Sequence, residues 1–429
     1  MLQTDATPQS ALSAFPATPL RGLQRTQTVL GGTRYADIIV GQIAGALHRG
    51  DLERAVRALV VRHPVLRHRV FVARGAGPVI QEVVVDALPI SASRAPWQRE
   101  VESVLNAPFD DDGASWCVRW VDAGTTHHLI LAVHHALVDG RTLSVLLAEL
   151  LAALDGAELG SPLALAPTAL DLAPRWPRLV APIARRVFAW HTRRAKANTP
   201  LRGRRLHTGE PIHTVFAVRT LPKSTLDALR KEGKKHEATV GGALVWATWH
   251  ATYTLSGDCS VEMMVDLRPL LPGAPDVGMY AGGVLALRGK QAQTPWGQAA
   301  IATRQVHRQV KSGLPLLAHA IFEGVDADRW LAAHGVDLAE NGGTGSVAQV
   351  SNVGQWSSPT TYGDRKLVSV CSATTAIPLG PALMVWLRTV DGQGHMSAVG
   401  NAACVTPALL ERWLERVASD LTALAEGTA

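Results

Sequence analysis

Leu129-Ile130-Leu131-Ala132-Val133 runs straight into His134-His135, and Asp139-Gly140 follows four residues later. An apolar run this short and this continuous predicts a strand buried on both faces, well inside a sheet. Side chains alternate along a strand, so His134 and His135 point to opposite faces. A histidine delivered to the end of such a strand sits in a partly desolvated cleft, where a neutral imidazole can serve as a base.

Helical and strand periodicities flank this run. Leu52, Val56, Leu59 and Val60 fall at helical spacing over Asp51–Arg62, and Pro64 disfavours continuation. Leu66–Val72, Val79–Val85 and Trp116-Val118-Trp120 read as strands, and Leu143, Leu146, Leu147, Leu150, Leu151 and Leu154 form one stripe of a helix after Gly140. The second half repeats the mixture. Strands are predicted at 212–220, 261–265, 284–287, 347–350, 367–370 and 383–390, and helices at 224–230, 239–253, 295–310 and 407–424. With 429 residues the chain is too long for one ordinary core. The fold class expected is α/β, in two halves. The division predicted is a flexible lead-in over 1–20, a first subdomain over 21–174, a basic crossover over 175–210 and a second subdomain over 211–429.

Charged residues make up 18% of the chain and the net charge is +6, which suits a basic surface or attraction to an acidic partner. Arg175, Arg178, Arg185, Arg186, Arg193, Arg194, Lys196, Arg202, Arg204 and Arg205 crowd one stretch, with Trp176, Phe188 and Trp190 among them. Three readings fit 175–206: a solvated crossover helix, a docking surface for an acidic carrier protein, or a helix lying in a membrane interface. No zinc-finger, RNP or basic-zipper pattern appears, so nucleic acid is not an expected partner. Cys117, Cys259, Cys371 and Cys404 form no CxxC pair and read as reduced thiols. Met1-Leu2-Gln3-Thr4-Asp5 does not read as a signal peptide, and no apolar run reaches bilayer length, so a cytoplasmic location is expected.

His134-His135-Ala136-Leu137-Val138-Asp139-Gly140 resembles the HHxxxDG signature shared by chloramphenicol acetyltransferases, peptide-synthetase condensation domains, wax ester synthases and polyketide-associated acyltransferases. Four further blocks resemble the same families in the same order: Arg62-His63-Pro64-Val65-Leu66-Arg67, Pro108-Phe109-Asp110, Met264-Val265-Asp266-Leu267-Arg268-Pro269 and Ser351-Asn352-Val353-Gly354. The resemblance implies two chloramphenicol-acetyltransferase-like subdomains, each a mixed sheet flanked by helices, with an active-site tunnel between them, open at both ends. It implies acyl transfer from a thioester, either acyl-CoA or a phosphopantetheinyl carrier protein, to a hydroxyl or amine of a small-molecule or lipid acceptor. His135 would be the general base and His134 structural. Asp139 either caps the following helix or pairs with Arg268, Gly140 either leaves room for substrate or serves a turn, and Ser351 or Asn352 either steadies the oxyanion or forms a turn. No cofactor is held in this chemistry. Two alternatives remain: a stand-alone condensation enzyme joining carrier-bound substrates, and a non-catalytic scaffold. The plant branch's DFGWG motif is absent.

Other chemistries are weaker. His127-His128 lacks HExxH or Cys/His spacing, so no metal is expected, and the two are placed at an exposed strand start. The glycine-rich 341–346 segment reads as a loop, and no GxSxG elbow is present.

Overall fold

The computed structural model describes residues 16–73, 77–109, 113–194, 212–256, 260–288, 294–323, 346–377 and 380–429. In chain order the first half contains β1 (Ala17–Pro19), α1 (Gly22–Gly31), β2 (Ala36–Ala44), α2 (Arg49–Arg62), β3 (His68–Ala73), β4 (Gly77–Glu82), β5 (Ile90–Ser93), α3 (Trp97–Asn106), β6 (Trp116–Asp122), β7 (Thr126–His134), α4 (Gly140–Leu154), α5 (Ala169–Leu172) and α6 (Trp176–Arg194). The second contains β8 (Thr214–Leu221), α7 (Lys223–Lys235), α8 (Val240–Ser256), β9 (Ser260–Asp266), β10 (Ala281–Ala286), α9 (Pro295–Lys311), α10 (Leu314–Ile321), β11 (Ser346–Gln355), β12 (Thr361–Tyr362), β13 (Arg365–Thr374), β14 (Leu383–Val390), β15 (Gln393–Asn401) and α11 (Pro407–Glu426).

The apolar run is β7, and it lies between β2 and β6 near the middle of a six-stranded sheet ordered β12-β13-β2-β7-β6-β5. Alternation divides its side chains between two cores. Leu129, Leu131 and Val133 pack with α2 and α4 residues such as Leu52, Leu146 and Leu150. Ile130 and Ala132 point the other way, into a cluster with Met384, Trp386 and Val399 of a second sheet, ordered β10-β9-β11-β14-β15-β8. This shared cluster is where the halves meet. α7, α8 and α11 cover the far side of the second sheet, with Leu226, Leu244 and Leu414 fully buried. The class is mixed α/β, two six-stranded sheets flanked by helices, as the sequence implied.

Several expectations change. Residues 1–15 of the lead-in lie outside the described residues, and Ala17–Pro19 pairs with β4 instead of hanging free. The segment 211–429 does not keep its strands to itself: β12 and β13 cross into the first sheet, where β13 pairs with β2 from Lys366↔Ala44 to Thr374↔Asp37. His127 and His128 are buried, not exposed; His128 stacks on Trp97 at 4.9 Å and His127 Nδ1 accepts the Trp120 indole N–H at 3.2 Å. β15 escaped prediction because it is rich in small and polar residues. Gly394 and Gly400 are needed there, since a Cβ at either would come within 3.0–3.2 Å of Leu226 or Val405.

The crossing of β13 makes the first half dependent on the second. A fragment covering 21–210 would expose the edge of β2 and is expected to aggregate, whereas co-expression with 211–429 restores a soluble complex. Co-purification of the two pieces checks this; a monomeric, cooperatively melting 21–210 fragment would refute it.

Candidate active site

His135 follows β7 directly, and its backbone N–H bonds the Tyr35 carbonyl at 2.8 Å. Its ring is almost fully buried. Nδ1 lies 2.9 Å from Asp37 Oδ2 and 3.2 Å from the Val138 carbonyl. The tautomer with Nδ1–H donating to Asp37 therefore leaves the Nε2 lone pair free, and among the described residues Nε2 has no partner. Tyr35 meets the imidazole edge-on at 4.8 Å. Burial opposes the imidazolium, but Asp37, with smaller help from Asp139 and the Val138 carbonyl, outweighs it and holds the ring above the usual histidine range.

His134 faces the opposite way and is fully buried. Nε2 lies 3.2 Å from the Gly32 carbonyl and Nδ1 accepts the Ala136 N–H at 3.1 Å, so both ring nitrogens are spent on backbone. Burial depresses its pKa to about 3, with the Gly32 carbonyl opposing weakly.

Asp139 does both things the sequence left open. As N-cap of α4 it accepts the Thr142 N–H at 2.8 Å. It also takes Arg268 through both oxygens, at 2.9 and 3.2 Å, and the Tyr280 N–H at 2.8 Å. Arg268 in turn donates to Asp266 and to the carbonyls of Pro275, Asp276 and Gly278. Burial works against the guanidinium, and Asp139 and Asp266 more than restore it, raising its pKa. Thr142 adds a second tie, donating to the Gly278 carbonyl and accepting the Gly278 N–H. The 276–280 segment of the second half is thus latched onto the start of α4.

The remaining blocks brace this arrangement. Arg62 and His63 both reach Glu149 of α4, at 3.0 and 2.7 Å, and Phe109 lies 6.3 Å from the His134 ring. Gly140 does not have the positive φ that a glycine-requiring turn would show. A Cβ there would meet only Val353, at 3.9 Å, so its side faces space.

A cavity of about 590 Å³ opens where the two sheets meet, and Asp139, Gly140, Ser351, Asn352 and Arg388 all line it. Ser351 sits opposite Met264 and Trp386 in the sheet. Asn352 Oδ1 accepts the Gly354 N–H at 3.2 Å, which is the turn expected of Asn-x-Gly, and the residue is also on the cavity lining. A second cavity of about 260 Å³ lies against Ala136, Leu137, Gly278 and Met279. Asp139 lines the first cavity and Ala136 and Leu137 line the second, so the 136–139 loop borders both. His135 is in that loop's wall rather than on the lining of either.

Sequence reasoning missed Asp37. The only signal was an acidic residue leading the apolar Ile38-Ile39-Val40 segment, a poor strand former placed where a strand begins. It also missed Glu262, which accepts from Gln349 Nε2 at 3.0 Å and whose burial pushes its carboxyl above the usual range. The 341–345 part of the glycine-rich segment lies outside the described residues. Among the described residues no cluster of three or more metal-ligating side chains occurs, and no helix is long and apolar enough to cross a membrane.

Residues 21–172 match the family model described as Condensation domain. The fold is a condensation-domain fold. Over 96% of this chain and 100% of the other it superposes on polyketide synthase associated protein 5 from Mycobacterium tuberculosis, with TM-score 0.70 and 16% identity. It superposes equally well, TM-score 0.70, on the TRI3 trichothecene 15-O-acetyltransferase of Fusarium sporotrichioides, with 95% of both chains covered and 11% identity. The first condensation domain of the calcium-dependent antibiotic synthetase gives TM-score 0.70 at 19% identity, covering 96% of this chain and 97% of that one. A nonribosomal peptide synthetase, criC, of Aspergillus cristatus is 31% identical over 120 residues, 28% of this chain but only 5% of that protein's length. The chain shares this fold with a peptide-synthetase condensation domain and an acetyltransferase alike.

Removing one partner of the buried Asp139–Arg268 pair strands the other and leaves the Thr142 and Tyr280 N–H groups unmatched. Asp139→Ala is expected to cost about 3–5 kcal/mol in denaturant unfolding, and Asp139→Asn less. An Asp139→Ala chain of undiminished stability but slow turnover would show that this carboxylate acts in chemistry instead.

Proposed function

We propose that the chain is an acyltransferase that moves an acyl group from a thioester to a hydroxyl or amine. The observation that supports this most directly is the Asp37–His135 pair. Asp37 fixes the imidazole with Nδ1–H inward, so that Nε2 can take a proton from the acceptor as its oxygen or nitrogen attacks the thioester carbonyl. The thioester carbon gains a bond to the acceptor and its oxygen becomes negative. Collapse then expels the thiolate, which recovers the proton from the imidazolium. In this reading Ser351 and Asn352, with the start of α4 at Gly140, would steady the negative oxygen; their shared position on one cavity supports this. His134 and the Asp139–Arg268 pair hold the loop in place. Donor delivery by coenzyme A or by a carrier protein fits the same site, and a carrier-bound acceptor would make the reaction a condensation. A basic surface favours either acidic donor.

His135→Ala is expected to lower turnover by about 10²–10⁴-fold in a chain that still folds, with a lower melting temperature because Asp37 loses its buried partner. Asp37 raises the imidazole pKa, so the unprotonated base accumulates only above the usual histidine range. Asp37→Asn should therefore shift the rising limb of the pH–rate profile to lower pH while reducing its plateau. Thioester turnover with acyl-CoA or acyl-pantetheine donors and alcohol or amine acceptors, followed by mass spectrometry, measures both. A stable His135→Ala chain with full turnover sinks the proposal.

A peripheral membrane contact is a second reading of the basic stretch, and α6 favours it. Pro177 and Ala181 are buried on the side facing α10, while Leu179, Ile183 and Val187 on the outer face are 76%, 65% and 51% exposed. Over Trp176–Arg194 the helix sequence has five arginines and no acidic residue. This is the composition of a helix that rests on an anionic lipid surface. The rest of the stretch, 195–206, lies outside the described residues. Co-sedimentation with phosphatidylglycerol vesicles is expected, with loss on Leu179→Glu/Ile183→Glu; no co-sedimentation of the unaltered chain would dismiss this contact.

A further inference from the structure

Arg388 is out of place by ordinary rules. It sits on β14, 3% exposed, at the junction between the two sheets. Burying a guanidinium is costly unless a carboxylate or phosphate compensates. The acidic side chains on its cavity are already engaged. Asp139 is bound by Arg268, Asp266 by Arg268 and Arg141, and Asp276 by Arg141. Arg388 has no carboxylate partner among the described residues. Its Nη2 makes two neutral contacts, 2.9 Å to Ser144 Oγ and 3.4 Å to the Gly140 carbonyl, and its Nε is buried with no partner at all. Trp356 lies 5.8 Å from the guanidinium carbon, and the Cys371 thiol, pushed up to about 12 by burial, supplies no charge. Arg388 lines the cavity of about 590 Å³, together with Gly140 and Asn352.

We propose that Arg388 is a specificity-determining residue that receives a carboxylate carried by one of the two substrates. This rests on the acyl-transfer reading of the same site and narrows it. The substrate with the negative group lies in the cavity with its reacting end toward Gly140, so that the carboxylate completes the charge balance that the protein leaves open. A charge-assisted contact in a water-poor site discriminates strongly against a neutral isostere, because that isostere leaves the guanidinium buried and unmatched. The carboxylate could belong to the acyl donor, as in a half-acid of a dicarboxylic acid, or to the acceptor, as in an amino acid.

Calorimetric titration of the full-length His135→Ala chain separates the two without requiring turnover. The donor arm compares glutaryl-pantetheine with valeryl-pantetheine, which carry no phosphate. The acceptor arm compares phenylalanine with phenylalaninamide. In one arm the carboxylate member is expected to bind at least about tenfold more tightly, and Arg388→Gln in the same background should abolish that preference. If neither pair shows a preference, or the preference survives Arg388→Gln, the proposal falls. If Arg388→Gln lowers the melting temperature but leaves the carboxylate preference intact, the residue merely braces Gly140 and Ser144, and the proposal falls as well. Because the readout is binding, a chain that proves inactive with every acyl donor can still pass this test, so failure of the acyl-transfer reading and failure of this one remain distinct.

Discussion

One carboxylate organises the centre of this molecule. Asp139 starts α4, accepts two hydrogen bonds from Arg268 of the other half and closes on the Tyr280 N–H. Each contact alone is ordinary. Together they make a loop out of residues that would otherwise be free to move: Val138 cannot drift, so its carbonyl stays against His135, and the 276–280 strap cannot lift from α4. Fixing the imidazole at two points, Asp37 on one side and Val138 on the other, needs the whole arrangement. A buried ion pair of this kind adds little net stability over hydrocarbon of equal volume. What it supplies is a single geometry, and single geometry is what proton transfer requires.

Much of this was legible in the sequence because the relevant residues are adjacent in it. HHALVDG carries the proposed base, the cap and the first residue of α4 in one run of seven, and β7 before it is unmistakable from its apolar content. Arg268 was found because it too stands in a recognisable block. Asp37 and Arg388 were not found, for one shared reason. Each is a lone charge within an otherwise buried strand, and the partner or space that gives it meaning lies across a sheet. Asp37 reaches His135 only because β2 pairs with β7. Periodicity reports which residues enter a core but not which charged residue is tolerated there. β2 itself, an apolar segment interrupted by Asp37, Gly41 and Gln42, went unread for a related reason.

The interface between the sheets has two characters. Ile38, Ile130, Met384 and Trp386 make one part hydrocarbon, and close packing there leaves no room for water. A short distance along, the same two sheets diverge around Gly140, Ser351 and Arg388 into a cavity. The transition follows from residue type. Large side chains face each other where the sheets touch, while a glycine, a serine and an asparagine bulge occur where they part, the register slipping between Asn352 and Gly354. The site is thus made as much by what the strands withhold as by what they present.

The passage of β12 and β13 into the first sheet bears on how such a chain can be cut and recombined. Its two sheets are not two portable modules. A graft that takes everything after the basic crossover from one homologue and everything before it from another would marry a foreign strand to β2, and eight pairings between Lys366 and Thr374, with a register shift after Leu367, would have to match a strand they never evolved against. Junctions near 360 and 380 leave that ladder whole. The strand is a seam that ties the two halves of the chain into one unit of exchange.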